Sequence, residues 1–141
     1  MPRMGPLKVR DLMTAKVMAV GPGEDLATLW TLMERQRVRH MPIVDPAGDL
    51  VGLVTHRDLL RHALVERGGR AAALEEAVLE RLNAGEIMRS ELATIGPDAD
   101  IRLAAQRMLE HKYGCLPVVV ERRLVGILTE ADFVRFLAGG D

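Results

Sequence analysis

Apolar and polar positions along this chain trace one pattern twice. Val17–Val20 is a short apolar run closed by Gly21-Pro22-Gly23. Glu24 and Asp25 follow, placing negative charge where a helix would begin. Leu26, Leu29, Trp30 and Met33 then recur at the spacing of one buried helical face. Pro42–Asp45 and Leu50–Val54 are short β-rich runs, and Pro46-Ala47-Gly48-Asp49 between them predicts the turn of a hairpin. From Asp58 to about Glu66 the pattern is helical again. The order is β-α-β-β-α. The second copy repeats it, with Ile101, Ala104, Ala105 and Met108 as the first stripe and Val118–Val120 with Leu124–Leu128 as the hairpin. Its turn, Glu121-Arg122-Arg123, lacks the Gly or Asn that a tight primed turn prefers.

The two copies lie about 75 residues apart. Asp11-Leu12-Met13 returns as Glu86-Ile87-Met88, and Met41-Pro42-Ile43-Val44 as Leu116-Pro117-Val118-Val119. After one deletion, Val51-Gly52-Leu53-Val54-Thr55-His56-Arg57-Asp58 returns as Val125-Gly126-Ile127-Leu128-Thr129-Glu130-Ala131-Asp132. The expected fold class is α/β (α+β), with a first repeat over 9–66, a connecting helical linker over 67–83 and a second repeat over 84–137. Two equivalent halves about a pseudo-two-fold axis are the expectation from such duplication. In the linker, Gly68-Gly69 breaks the chain, and Ala71, Leu74, Val78 and Leu82 space as a helix.

The polar pair that repeats is Thr55-x-x-Asp58 and Thr129-x-x-Asp132. Each follows an apolar strand and opens a helix. Taken alone, the pair reads first as a capping box worth about 1 kcal/mol. The same geometry can also bind. A helix N-terminus offers unpaired N–H groups and a positive dipole end to a phosphate. The Thr hydroxyl can bond a phosphate oxygen, and the Asp carboxylate can accept from both hydroxyls of a ribose.

With the helix and hairpin between, these two motifs in register resemble the cystathionine-β-synthase (CBS) domain family. The chain from about Val9 to Leu137 is similar to a tandem CBS pair, or Bateman module. The resemblance implies two β-α-β-β-α units with packed sheets, and clefts that bind AMP, ADP, ATP or S-adenosylmethionine to regulate a partner. It also implies that each cleft is built across the pair. Thr129 and Asp132 would face Val38, Arg39, His40, Met41 and Pro42, while Thr55 and Asp58 would face Tyr113, Gly114, Cys115, Leu116 and Pro117. Backbone and apolar members would hold adenine, and basic ones phosphate. Arg39 and His40 add charge to the Asp132 cleft, whereas Glu130 within its motif opposes a phosphate, and His56 and Arg57 occupy the other motif. These opposing charges leave the ranking of the clefts open, with the bidentate capacity of Arg39 tipping it to Asp132. Stacking of two pairs into a homodimeric disc is a further implication.

Composition changes this picture little. The 141 residues are 48% apolar but only 3% aromatic, so the core must be built from Leu, Val, Ile, Met and Ala. Nineteen basic and 20 acidic residues leave a net charge of −1, and no basic stripe points to nucleic acid. No apolar run approaches the roughly 20 residues of a membrane span. The N-terminus lacks the apolar core of a signal peptide, and the single Cys115 fits a reducing compartment. The expectation is a soluble, cytoplasmic protein with no membrane partner.

His40, His56, His62 and His111 show no metal-ligand spacing. Cys115 reads as a small core residue and Trp30 as packing. The run Arg35, Arg37, Arg39 is a solvated face whose last member nears the phosphate position. Nothing pairs a nucleophile with a base, so no enzyme and no obligatory cofactor are expected. The alternative to ligand sensing is a structural dimerisation module with degenerate or empty clefts. The effector protein such a module would regulate is not named by the sequence.

Overall fold

The structure, a computed structural model, describes residues 7–66, 79–112 and 114–139. Most of the expected linker helix, residues 67–78 with Gly68, Gly69, Ala71, Leu74 and Val78, lies outside the described residues, as does Tyr113. The elements follow the duplicated order: α1 (Val9–Leu12), α2 (Leu26–Gln36), β1 (His40–Val44), β2 (Leu50–Thr55) and α3 (His56–Glu66). Then come α4 (Ala84–Ile87), α5 (Ile101–His111), β3 (Cys115–Val120), β4 (Arg123–Thr129) and α6 (Glu130–Leu137).

Asp25 caps α2 by accepting from the Thr28 amide at 2.7 Å, and Asp100 caps α5 by accepting from Arg102 at 2.7 Å. Both helices end on a left-handed residue that is not glycine, Arg37 at φ 55° and Lys112 at φ 59°. The hairpins are antiparallel, with His40 opposite Thr55 and Cys115 opposite Thr129. Each carries one register shift at the matching place, Ile43/Val44 and Val118/Val119. Gly48 supplies positive φ in the first turn, and Glu121 adopts φ 62° in the second, which solves the turn without a glycine.

The first strand expected in each repeat shrinks to a single parallel bridge, Val20 to Ile43 and Ile95 to Val118. Gly21-Pro22 and Gly96-Pro97 follow directly, and a proline cannot extend a ladder.

The compact units are not the contiguous repeats. One unites the N-terminal residues up to Val17 with those from Ala93 onward, and the other is Met18–Leu92. In the first-repeat unit, Leu26, Leu29, Met33, Met41, Ile43, Val54, Leu59, Leu79 and Ala84 form one core. The other unit packs Val9, Ile95, Ala104, Met108, Leu116, Val118 and Leu128 together.

In each unit the residue after a repeated Met joins the free edge of a hairpin. Arg89 exchanges backbone hydrogen bonds with Leu53 at 2.9 and 3.0 Å, and Thr14 does so with Ile127 at 2.9 and 3.0 Å. Gly52 and Gly126 make room for this crossing. A Cβ on Gly52 would sit 2.9 Å from the Met88 Cβ, and one on Gly126 would sit 2.9 Å from the Thr14 carbonyl oxygen.

Candidate functional site

β2 runs directly into α3, and β4 into α6, so each Thr-x-x-Asp stands where a strand becomes a helix. In the first, the Thr55 amide donates to Asp58 Oδ2 at 3.0 Å, and the Asp58 amide donates to Thr55 Oγ1 at 3.1 Å. In the second, the Thr129 amide and hydroxyl both donate to Asp132 Oδ2, at 2.8 and 3.3 Å. The capping role is therefore real in both. It engages chiefly one carboxylate oxygen and leaves the other to a long-range partner. Both carboxylates are withdrawn from solvent, at 4% exposure for Asp58 and 5% for Asp132.

The long-range partners differ in kind. Arg89 grips Asp58 with a fork, Nη2 donating to Oδ1 at 3.0 Å and Nε to Oδ2 at 3.4 Å. Arg61 stands 3.8 Å from the same Oδ1. Asp132 instead accepts at Oδ1 from the Thr14 hydroxyl at 3.2 Å and from Arg135 Nη2 at 3.4 Å. Burial alone would raise the Asp58 carboxyl. The Arg89 hydrogen bond, the Thr55 amide and hydroxyl, and the Arg89 charge outweigh it and hold the group below its ordinary range.

Neither Arg89 nor Thr14 stood out in the sequence. The signal was present, since each follows its repeated Met, Met88 and Met13, at one offset. It carried no information until the edge pairing placed both residues over the carboxylates.

The remaining predicted residues gather beside the motif of their own unit. His40 opens β1 opposite Thr55, and the Arg39 carbonyl accepts from the His56 amide at 2.9 Å. Val38 and His40 are half-buried and Arg39 is exposed, while Met41 and Pro42 are buried. In the other unit the Gly114 carbonyl accepts from the Glu130 amide at 3.2 Å, and Gly114 takes φ 75°. Cys115, Leu116 and Pro117 are buried. Burial pushes the Cys115 thiol up to about 12, which makes it inert as a nucleophile near neutral pH.

Trp30 stacks on His56, with ring centroids 4.6 Å apart and planes inclined by 26°. The corresponding positions of the second half hold Ala105 and Glu130. There an open apolar groove of about 550 Å3 lies between α5 and α6, lined by Ala105, Met108, Leu109, Phe133 and Val134, with Lys112 and Glu130 among its polar members. Among the described residues no group of three or more His, Cys, Asp or Glu side chains could hold a metal ion, and no helix is long and apolar enough to cross a membrane.

The CBS-domain family profile matches residues 9–65 and again 84–139. Hypoxic response protein 1 of Mycobacterium tuberculosis is 34% identical over 128 residues, covering 91% of this chain and 83% of that protein. Homoserine O-acetyltransferase of Methanococcoides burtonii is 35% identical over 130 residues, but the chain spans only 24% of that enzyme's length. Among solved structures, a putative acetoin utilization protein from Vibrio cholerae superposes with a TM-score of 0.81 at 34% identity, over 95% of this chain and 92% of that one. CBSX2 in complex with AMP gives 0.77 at 26% identity, over 94% and 96%.

Proposed function

The chain belongs to the CBS-domain family as a tandem pair, and from that premise we propose that it is a regulatory module sensing an adenosine nucleotide: AMP, ADP, ATP or S-adenosylmethionine. The observation that carries this reading is the buried aspartate at each strand-to-helix junction, with one oxygen turned to a partner from far along the chain. A ribose diol can replace such a partner, and the helix N-terminus can receive a phosphate. The bound AMP of CBSX2 supports the ligand class. In this reading the protein is not an enzyme and needs no obligatory cofactor. It acts in the cytoplasm on an effector protein, with neither nucleic acid nor membrane as partner.

We also propose a homodimer. Leu109 and Val134, 77% and 66% exposed, line the groove on α5 and α6, and Leu137 of α6 is 83% exposed. A second copy would cover this apolar face, and closed two-fold dimers are the commonest assembly. The same face favours the second reading, a structural dimerisation module whose aspartates only cap.

Thermal melting with AMP, ADP, ATP and S-adenosylmethionine in turn, each at millimolar concentration, separates the readings. A ligand in excess of its dissociation constant must raise the melting temperature. If none of the four does, sensing fails and the structural reading remains. Sedimentation at micromolar protein tests the dimer, and a monomer with and without nucleotide would exclude it.

A further inference from the structure

The two aspartates stand in matched frames yet are held by unlike groups. Arg89 and Thr14 occupy the same repeat position, hydrogen-bond to the same point of their hairpins, and reach the same oxygen of their aspartates. Arg89 brings a cation and two donors, with its side chain 38% exposed. Arg61 at 3.8 Å from the same oxygen is matched by Arg135 at 3.4 Å from Asp132, so these two exposed arginines do not distinguish the sites and Arg89 does. Thr14 brings one neutral hydroxyl from an exposed position, helped by a single 3.4 Å contact from Arg135, which is 58% exposed.

These grips resist displacement differently. A vicinal diol offers two neutral O–H donors. At Asp132 it would exchange neutral donor for neutral donor and leave the carboxylate satisfied. At Asp58 it would have to expel a bidentate, charge-assisted fork from a carboxylate that is only 4% exposed. Charge-assisted bonds are roughly twice as strong as neutral ones, and a buried carboxylate stripped of its cation is poorly compensated.

We propose that Arg89 is a specificity-determining residue that keeps Asp58 from accepting a ligand diol, so that diol recognition falls to Asp132 and one nucleotide binds per chain. The proposal rests on the nucleotide-sensing reading above. It makes the duplicated motif functionally single: Asp58–Arg89 is a structural ion pair, and Asp132–Thr14 is the exchangeable site.

Calorimetric titration of the full chain with ATP and with AMP tests this. The unaltered protein should bind one nucleotide per chain. Thr14→Arg, which copies the first half onto the second, should lower affinity at least tenfold. Arg89→Thr, which copies the second onto the first, should raise the stoichiometry from one to two. Arg89→Gln keeps the stem and removes the cation, and it is read in place of Arg89→Thr if melting shows that variant unfolded. Two equal sites in the unaltered protein would overturn the proposal and leave nucleotide sensing intact. A folded Arg89 variant still binding one nucleotide, or an unchanged affinity in Thr14→Arg, would do the same. No binding of any adenosine ligand by the unaltered protein would overturn both.

Discussion

In the first half Trp30 lies on His56, and Leu59 beside them is fully buried in the core. In the second half the same positions carry Ala105, Glu130 and Phe133, and they line an open groove of about 550 Å3. The carboxylates show the same contrast, a guanidinium fork at Asp58 against a hydroxyl at Asp132. Duplication preserved the backbone frame in both halves. Within it, one half carries an indole stacked on an imidazole and a guanidinium fork on its aspartate, and the other carries a groove and a hydroxyl. A repeated fold is thus no guide to repeated chemistry. What a half can bind depends on the few side chains that enter its frame from elsewhere.

The largest test of this contrast is removal of the indole. Trp30→Ala should cost about 3 kcal/mol of stability, read from urea unfolding, because the packing around a large aromatic collapses only partly. The reverse graft, Ala105→Trp with Glu130→His, should fold with little loss, since the groove has room for the ring. If this face is the dimer surface, the graft should also weaken self-association in sedimentation. A loss above 3 kcal/mol on grafting would show that the halves differ in more than their filling.

The crossing glycines come next. Gly126→Ala should cost about 2–3 kcal/mol, because the new Cβ meets the Thr14 carbonyl oxygen, which is tied to Ile127. Gly52→Ala should cost a similar amount, about 2–3 kcal/mol, because the Met88 Sδ can swing aside but the Met88 Cβ at 2.9 Å is fixed to a backbone that Arg89 ties to Leu53. A much smaller loss at one glycine than at the other would show that the two edges are not crossed equally tightly.

The carboxylate partners give a smaller effect. Arg89→Leu should destabilise by about 2 kcal/mol, as a buried carboxylate loses charged hydrogen bonds, while Thr14→Val should cost about 1 kcal/mol for one neutral bond. A reversed order would mean that Arg89 does not hold Asp58 in solution.

The smallest effect is in acid. The folded Asp58 carboxyl lies below its ordinary value of 3.8, so near and below that pH the unfolded chain binds more protons than the folded one. Its contribution is fully present well above pH 3.8 and is lost as pH falls through the lowered folded value. Unfolding free energy should therefore fall more gently with acid in Asp58→Asn than in the unaltered protein. Parallel acid limbs would contradict the ion pair.

Much of this architecture was legible in the chain. The stripe Leu26, Leu29, Met33 packs as its spacing predicts, both hairpins form, and both Thr-x-x-Asp pairs cap their helices. These features were readable because their causes are local: helical periodicity, turn residues and a cap span only a few positions. Pairing of the final strand and helix through one threonine follows equally from adjacent residues.

Only the tertiary structure decided what meets those caps. Arg89 reaches Asp58 across 31 residues of chain, and Thr14 reaches Asp132 across 118. No periodicity encodes such a contact, because it depends on which edge of a hairpin an incoming segment joins. The first strand of each repeat, expected from its apolar run, was cut to one bridge by the Gly-Pro that follows it. The groove also needed the fold. Ala105 reads as one more stripe residue, and the space beside it becomes visible only once α6 lies next to α5 with Trp30 as the measure of what is missing. Local sequence determined the frame through short-range sterics and hydrogen bonding. Long-range packing determined the chemistry, because the partner of a buried carboxylate is chosen in space and not along the chain.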